Sequence, residues 1–290
     1  MKEAQERTEA QERTEAQECN SAEAFRRAHA LLVDRAKAGP HFEDPSKPET
    51  VQAMQIVLNL PKNNPPARHN ILAAAAQAVV RVCLDERVST DYGTHEAFHA
   101  WYGHLIRKVA RRARNAGWEH IQHLPGVTAQ VEDAEARAFV PSAVNAVPAE
   151  IKKLQISGTD VPWEEELPEP TEPVVIYCDA GLVMSVGKAA AQVGHASMML
   201  AAQRPVELVE AWAKAGFPLA VREVPSAVFQ EHCQAADAVA IRDAGFTEVE
   251  PGSITVVARG LTDAGLTDAG LTADASTPNL STGPADTPPA

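Results

Sequence analysis

Apolar positions along the chain alternate between two periods. Ala53–Leu60 (AMQIVLNL) is a short, nearly continuous apolar run of strand length. Ile71–Leu84 is alanine-rich, free of Gly and Pro, and helical by pattern. Glu96–Ala116 has a helix-spaced apolar stripe of Tyr102, Leu105, Ile106, Val109 and Ala113, which predicts a second helix. Arg137–Val140 reads as a short strand. A second alternating set follows. Val174–Cys178, Leu219–Glu223, Ala238–Arg242 and Ile254–Ala258 read as strands, and Gly187–Ala202, Val206–Lys214 and Ser226–Ala236 read as helices. Strands alternating with helices predict a compact α/β sheet covered on both faces.

The remaining segments lack these periods. EAQERT occupies residues 3–8 and 9–14, and EAQE follows at 15–18, with no apolar stripe to bury. Near the other end GLTDA recurs at 260–264 and 265–269, ahead of a Pro/Thr/Ser/Ala-rich run. A Pro- and Glu-rich stretch, DVPWEEELPEPTEP, lies at 160–173. The expected organisation is a low-complexity extension at 1–47, an α/β domain at 48–159, an acidic linker at 160–173, an α/β domain at 174–259 and a disordered repeat tail at 260–290.

Composition narrows the function classes. No apolar run approaches the ~20 residues that span a bilayer, and the N-terminus has no apolar signal core. A cytoplasmic protein without membrane partners is expected. Cys19, Cys83, Cys178 and Cys233 form no C-x-x-C pair, which argues against a zinc ribbon or a thioredoxin motif. The formal charge of −13 opposes nucleic-acid binding unless basic residues cluster locally. They do cluster in the first domain. Residues 68–120 hold eight basic and five acidic side chains, whereas 174–259 hold six and nine. On the expected helix, Arg107, Arg111 and Arg114 share a face with Lys108 and Arg112 beside it, a candidate RNA-docking surface. An ordinary solvated face fits the same pattern.

Candidate chemistry falls in two stretches of the second domain. In GKAAAQVGHASMM, Lys188, Gln192 and His195 share a helical face, and Gly187 opens the helix where free N–H groups favour an anion. A snorkelling lysine and a core histidine would give the same pattern. In RDAGFTEVEPGSIT, Asp243 closes a strand beside turn glycines Gly245 and Gly252, with Thr247, Ser253 and Thr255 nearby. A third motif, His95-Glu96-x-x-His99, is a literal zinc-protease pattern, with Glu119 downstream as a third ligand.

Together the first two stretches resemble the archaeal–eukaryotic (type 2) peptidyl-tRNA hydrolases. These carry a methionine, a G-K-x-A-A-Q-x-x-H-A helix, then D-A-G-x-T and P-G-[ST]-x-T-V. The chain has Met184, Gly187–Lys188, Ala190–Gln192, His195–Ala196, Asp243–Gly245, Thr247, Pro251–Ser253 and Thr255–Val256, in that order. The resemblance implies a three-layer α/β domain with a four-stranded mixed sheet and helices on both faces. A separate α/β N-terminal domain precedes it. It further implies hydrolysis of the ester between a peptide or N-blocked amino acid and the tRNA 3′ end, and a possible homodimer. Lys188, Asp243, Thr247 and Thr255 fall on positions implicated in catalysis. Gly187, Gln192, His195 and Ser253, with Arg107, Lys108, Arg111 and Arg114, are candidates for substrate binding. The scheme needs no metal and no cofactor. The chain departs from the family where Asp179 and Gly181 replace an Arg and an Asp, and where Ser185-Val186 precede Gly187 in place of a first Gly-Lys. A non-catalytic tRNA-binding module and a zinc hydrolase are the competing classes.

Finally, AAAQ occurs at Ala74–Gln77 and again at Ala189–Gln192. A duplicated copy would carry Ala73 in place of Lys188 and be inert; alanine richness alone also accounts for the recurrence. For the two ends the expectation is simple. Deleting residues 1–20 and 262–290 should shift the melting temperature by no more than a few degrees, because neither segment has apolar surface to bury.

Overall fold

A computed structural model describes residues 2–37, 43–158, 160–164, 166–243 and 248–262, with side chains described from Cys19 onward. The chain opens with α1 (Lys2–Lys37), then β1 (Gln52–Asn59), α2 (Arg68–Cys83), α3 (Arg87–Thr90), α4 (Tyr92–Tyr102), β2 (Lys108–Ala113), α5 (Ala116–Glu119), β3 (Gly126–Val131), β4 (Ala134–Phe139), β5 (Ser142–Ala143) and α6 (Ala149–Lys152). It continues through β6 (Val174–Asp179), α7 (Val186–Ala202), α8 (Val206–Lys214), β7 (Ala220–Val224), α9 (Ser226–Cys233), β8 (Val239–Arg242) and β9 (Ile254–Gly260).

These elements form two mixed sheets. The N-terminal sheet runs β2-β1-β4-β3, with β5 also paired to β1; the C-terminal sheet runs β7-β6-β9-β8. Both have the same directions. A parallel neighbour flanks the first strand (β1 with β2, β6 with β7), and an antiparallel hairpin flanks its other side. In both, a long helix follows the first strand, and these helices carry the two AAAQ sequences. The recurrence is therefore matched by topology. The copies differ in their partners: Gln77 accepts from Arg81, whereas Gln192 donates to Asp243.

The C-terminal domain has the expected three layers. Val174, Ile176 and Cys178 are buried beneath α7, while Tyr177, on the opposite face, stacks on His232 of α9 at 3.5 Å between ring centroids. The N-terminal α/β region has its own sheet, with α2 on one face. A small apolar cluster of Val57, Trp118, Ile121, Phe139 and Ile151 covers the other. The two regions join along α2 and α7. These helices pack closely through alanines, and Ser197 Oγ donates to the Ala76 carbonyl at 2.8 Å. Each helix also reaches the edge strand of the other sheet, α7 at β2 and α2 at β7.

One expectation is corrected. The stretch Glu96–Ala116 is not one helix: α4 ends at Tyr102 with Gly103 as its cap, and Lys108–Ala113 is strand β2. Parallel pairing with β1 satisfies the backbone of residues whose local propensity favours helix. Beyond its repeats, the 1–47 extension packs onto the rest of the chain. Ala24, Ala28 and Leu32 of α1 are buried, His29 Nε2 lies 2.9 Å from the Ala201 carbonyl, and Arg26 grips Glu210 of α8 with two hydrogen bonds. The GLTDA repeats from residue 263 onward lie outside the described residues.

Arg68, at the start of α2, is a second tie between the regions. It pairs with Glu223 of β7 through Nε at 2.6 Å and a second nitrogen at 2.8 Å, and donates to the carbonyls of Val161 and Met184. Both side chains of this pair are nearly buried. Arg68→Ala should cost about 3–5 kcal/mol in denaturant unfolding, because it leaves the Glu223 charge buried without its partner. The double change Arg68→Met with Glu223→Leu should recover most of that loss.

Candidate active site at the junction of the two regions

The candidate residues converge because α7 starts where β8 ends. Ser185 caps α7 by accepting from the Lys188 amide at 3.1 Å. It is itself held by Glu248, through its amide at 2.8 Å and its hydroxyl at 2.7 Å. The expected anion position at the helix start thus faces a carboxylate of the protein's own, and Gly187 lies buried just inside, lining the cleft. One turn on, Lys188 Nζ donates to Asp243 Oδ1 at 2.5 Å. Gln192 Nε2 donates to the same oxygen at 2.8 Å, and the Thr255 hydroxyl donates to Gln192 Oε1 at 2.7 Å. The result is a chain from β9 through α7 to the strand-end aspartate. Backbone bonds fix its far end, with Asp243 N on the Ser253 carbonyl and Gly252 N on the Asp243 carbonyl, each at 2.9 Å.

Above this chain lies a cleft of about 490 Å³. Its walls come from both regions: Ile106 to Ala110 from the first, and Lys188, Gln192, His195 and Asp243 from the second. Thr255 is fully buried, one bond removed from the aspartate, so it positions Gln192 and does not line the cleft. The Ser253 hydroxyl donates to the Glu250 carbonyl at 2.8 Å and serves the turn. Thr247 lies outside the described residues.

His195 lines the cleft beside Lys188. Burial, then the nearby Lys108 and Lys188 charges, hold its imidazole well below the usual histidine range. The neutral form dominates near neutral pH.

The basic residues of the first region do not form the expected helical face. Arg107 is engaged by Glu43. Arg111 donates to Gln55 at 2.8 Å and to the Leu154 carbonyl at 2.9 Å. Arg112 bonds Gln155 at 3.0 Å, and Arg114 is exposed and away from the cleft. A strand sends successive side chains to opposite faces, so the shared stripe dissolves once β2 replaces a helix. Lys108, by contrast, turns into the cleft against His195. Neither this contact nor the Arg68 anchor carries a sequence signal, because both join elements far apart in the chain.

The H-E-x-x-H residues stand on α4. His95 and His99 are one turn apart, with ring centroids separated by 6.2 Å, and His95 Nδ1 is engaged with the Val88 carbonyl at 3.0 Å. Among the described residues no group of three or more His, Cys, Asp or Glu is placed to hold a metal ion. The cysteines do not cluster: Cys83 and Cys178 are buried, Cys19 exposed, Cys233 between.

Residues 173–269 match the family model described as Peptidyl-tRNA hydrolase PTH2. This part of the chain is similar to that family across its whole four-stranded sheet. The match begins one residue before β6 and takes in Lys188, Gln192, Asp243 and Thr255, so the hydrogen-bonded chain lies wholly within it. The N-terminal region, which supplies the other wall of the cleft, lies outside the match. Two of the departures from the family pattern, Asp179 and Gly181, share one hydrogen-bonded turn. Asp179 accepts from Gly181 N at 2.9 Å and from the Ser226 hydroxyl at 2.6 Å. A Cβ on Gly181 would lie 2.3 Å from Ser226 Oγ. A larger side chain at this turn would require the Ser226 hydroxyl to leave Asp179. Among the described residues no helix is long and apolar enough to cross a membrane.

The buried chain makes a specific stability prediction. Thr255→Val preserves shape but removes the donor to Gln192 Oε1. Leaving that oxygen unsatisfied should cost about 1–3 kcal/mol in chemical denaturation. Thr255→Ser, which keeps the hydroxyl, should recover the polar part of that loss.

Proposed function

We propose that the chain hydrolyses the ester joining a peptide or an N-blocked amino acid to the 3′ end of tRNA, using the cleft above Asp243. The observation that carries this reading is the Lys188–Asp243–Gln192–Thr255 chain, within the residues similar to PTH2 and opening on the cleft. Ester hydrolysis needs a base for water and a donor for the tetrahedral oxyanion. Asp243 accepts a proton from a water that attacks the acyl carbonyl carbon. Lys188, adjacent to that carboxylate, stabilises the negative oxygen that forms. Collapse breaks the bond from acyl carbon to ribose oxygen, and the proton passes to the departing oxygen. The products are a free carboxylic acid and a tRNA with its terminal hydroxyl restored. Thr247, two residues past the D-A-G motif, is assigned to positioning the water.

RNA docking is assigned to the cleft rim, where Arg107 and Arg242 stand, while Lys108 turns inward onto His195. Arg111 and Arg114 do not line the cleft and are left out of this assignment. The net charge of −13 makes such local placement essential. A second reading, a tRNA-binding module without turnover, draws on the Asp179 and Gly181 departures. The intact Lys188–Asp243 pair weighs against it.

The test uses Lys188→Ala and Asp243→Asn in the full chain. Each should lower kcat on N-blocked aminoacyl-tRNA by about 100-fold or more, with tRNA affinity changed far less. Unaltered turnover in either folded variant would contradict these roles. An inactive wild-type protein that still binds tRNA would favour the binding module.

A further inference from the structure

Lys108 stands at the first position of β2, outside the PTH2 match. Its side chain crosses α7 at Gly194. A Cβ built there would sit 3.3 Å from Lys108 Cδ and 2.9 Å from Val79 Cγ2, so the passage depends on glycine. The amine arrives 3.1 Å from His195 Nδ1, 2.9 Å from Met198 Sδ and 5.1 Å from the Trp101 ring centroid. A lysine on a surface strand has no need of such a course. Here it delivers a donor to the back of a histidine that lines the cleft.

An ammonium donates and never accepts, so its contact fixes Nδ1 as the acceptor and leaves the imidazole proton on Nε2. We propose that Lys108 is a positioning residue for the reaction: its ammonium holds His195 as the Nε2–H tautomer, which donates to the acyl end of the bound substrate beside Lys188. This rests on the hydrolase reading and adds a donor from the N-terminal region to the PTH2 site.

The electrostatics give the device a pH dependence. Burial pushes Lys108 down to about 7, with Cys83 opposing weakly. Among the described residues, His195 of α7 and Cys83 of α2 face Lys108, with Tyr102 of α4 behind Cys83 and Lys188 of α7 acting on His195; Arg107 is its neighbour in sequence. Burial pushes the Cys83 thiol up to about 11 and the Tyr102 phenol up as well, so both stay neutral. His195 is pushed the other way. Lys108 is thus the member of this cluster that changes charge near neutrality. As pH rises through about 7 it loses its proton, and the charge-assisted bond to His195 weakens.

The experiment combines nitrogen-15 NMR of the His195 ring with kcat/KM against pH, for the wild type and Lys108→Met. Methionine has similar length and suits the Trp101–Met198 surroundings. In the wild type, His195 should be the Nε2–H tautomer below about pH 7, and its ring signals should move with a midpoint there. In Lys108→Met that midpoint should vanish and the tautomers should mix. The variant's kcat/KM should fall by about 10- to 100-fold at low pH, with no step near neutrality. A wild-type His195 that carries its proton on Nδ1, or whose signals do not move near neutrality, overturns the proposal without reference to activity. So does a coupled histidine with an unaltered pH–rate profile in Lys108→Met. Wild-type protein that shows the NMR coupling but no turnover overturns both the hydrolase reading and the role of Lys108 in it. Loss of turnover in the Lys188 variant alone leaves the hydrolase reading standing and removes Lys108. Should Lys108→Met fail to fold, the wild-type titration still decides the tautomer and its midpoint.

Discussion

The close approach of α2 to α7 is the contact on which the rest of the structure depends. Alanines on both helices and Gly194 opposite Val79 bring the two backbones together, and Ser197 bonds directly to the Ala76 carbonyl. Small residues at a crossing trade side-chain burial for backbone proximity, and the packed methyl groups offset that loss. The consequence is a continuous apolar core running from β1 to β9 across both regions. The approach also carries β2 against α7, which is how one wall of the cleft comes to be built from the other region. A bulkier residue at Gly194 would meet both Val79 and Lys108, so the joint and the site share one steric constraint.

Electrostatics follow from that placement. A chain with net charge −13 must gather its positive charge where a phosphate backbone would lie. Much of the first region's basic content serves structure: Arg68 on Glu223, Arg107 on Glu43, Arg111 on Gln55, Arg81 on the Gly216 carbonyl. Lys108, Lys188 and Arg242 then border the cleft with Asp243 and Glu248. The two lysines there are not equivalent. Lys188 faces a carboxylate at 2.5 Å, whereas Lys108 sits among Trp101, Met198 and His195, and burial acts on it directly.

The C-terminal domain was largely legible from its sequence for a physical reason. Its strands are short apolar runs, and its helices begin after Ser or Pro. Every strand and helix there falls within a few residues of its expected place. The ordered pair of motifs singled out Lys188, Gln192 and Asp243, and hydrogen bonds join these three side chains in the structure. The first region was less legible. Residues 108–113 (KVARRA) have good helix formers and a helix-compatible stripe, yet pairing with β1 overrides local preference. Hairpin strand β3 lay hidden because its buried positions are only Gly126 and Ala129. The role of α1 was hidden because Ala24, Ala28 and Leu32 are a sparse stripe behind a polar repeat. No local pattern reports that Lys108 meets His195, since the two are 87 residues apart. The AAAQ recurrence was readable but undecided until two sheets of one topology stood behind it.

The central claim is that a cleft built by two regions over one hydrogen-bonded aspartate cleaves an acyl ester. The most direct measurement is single-turnover release of an N-blocked amino acid from tRNA by the full chain, with a chelator present and the RNA followed to its 3′ end. The account predicts release far above the spontaneous rate, unaffected by the chelator, with intact tRNA ending in free hydroxyls. Bound tRNA whose ester survives at the spontaneous rate would contradict it.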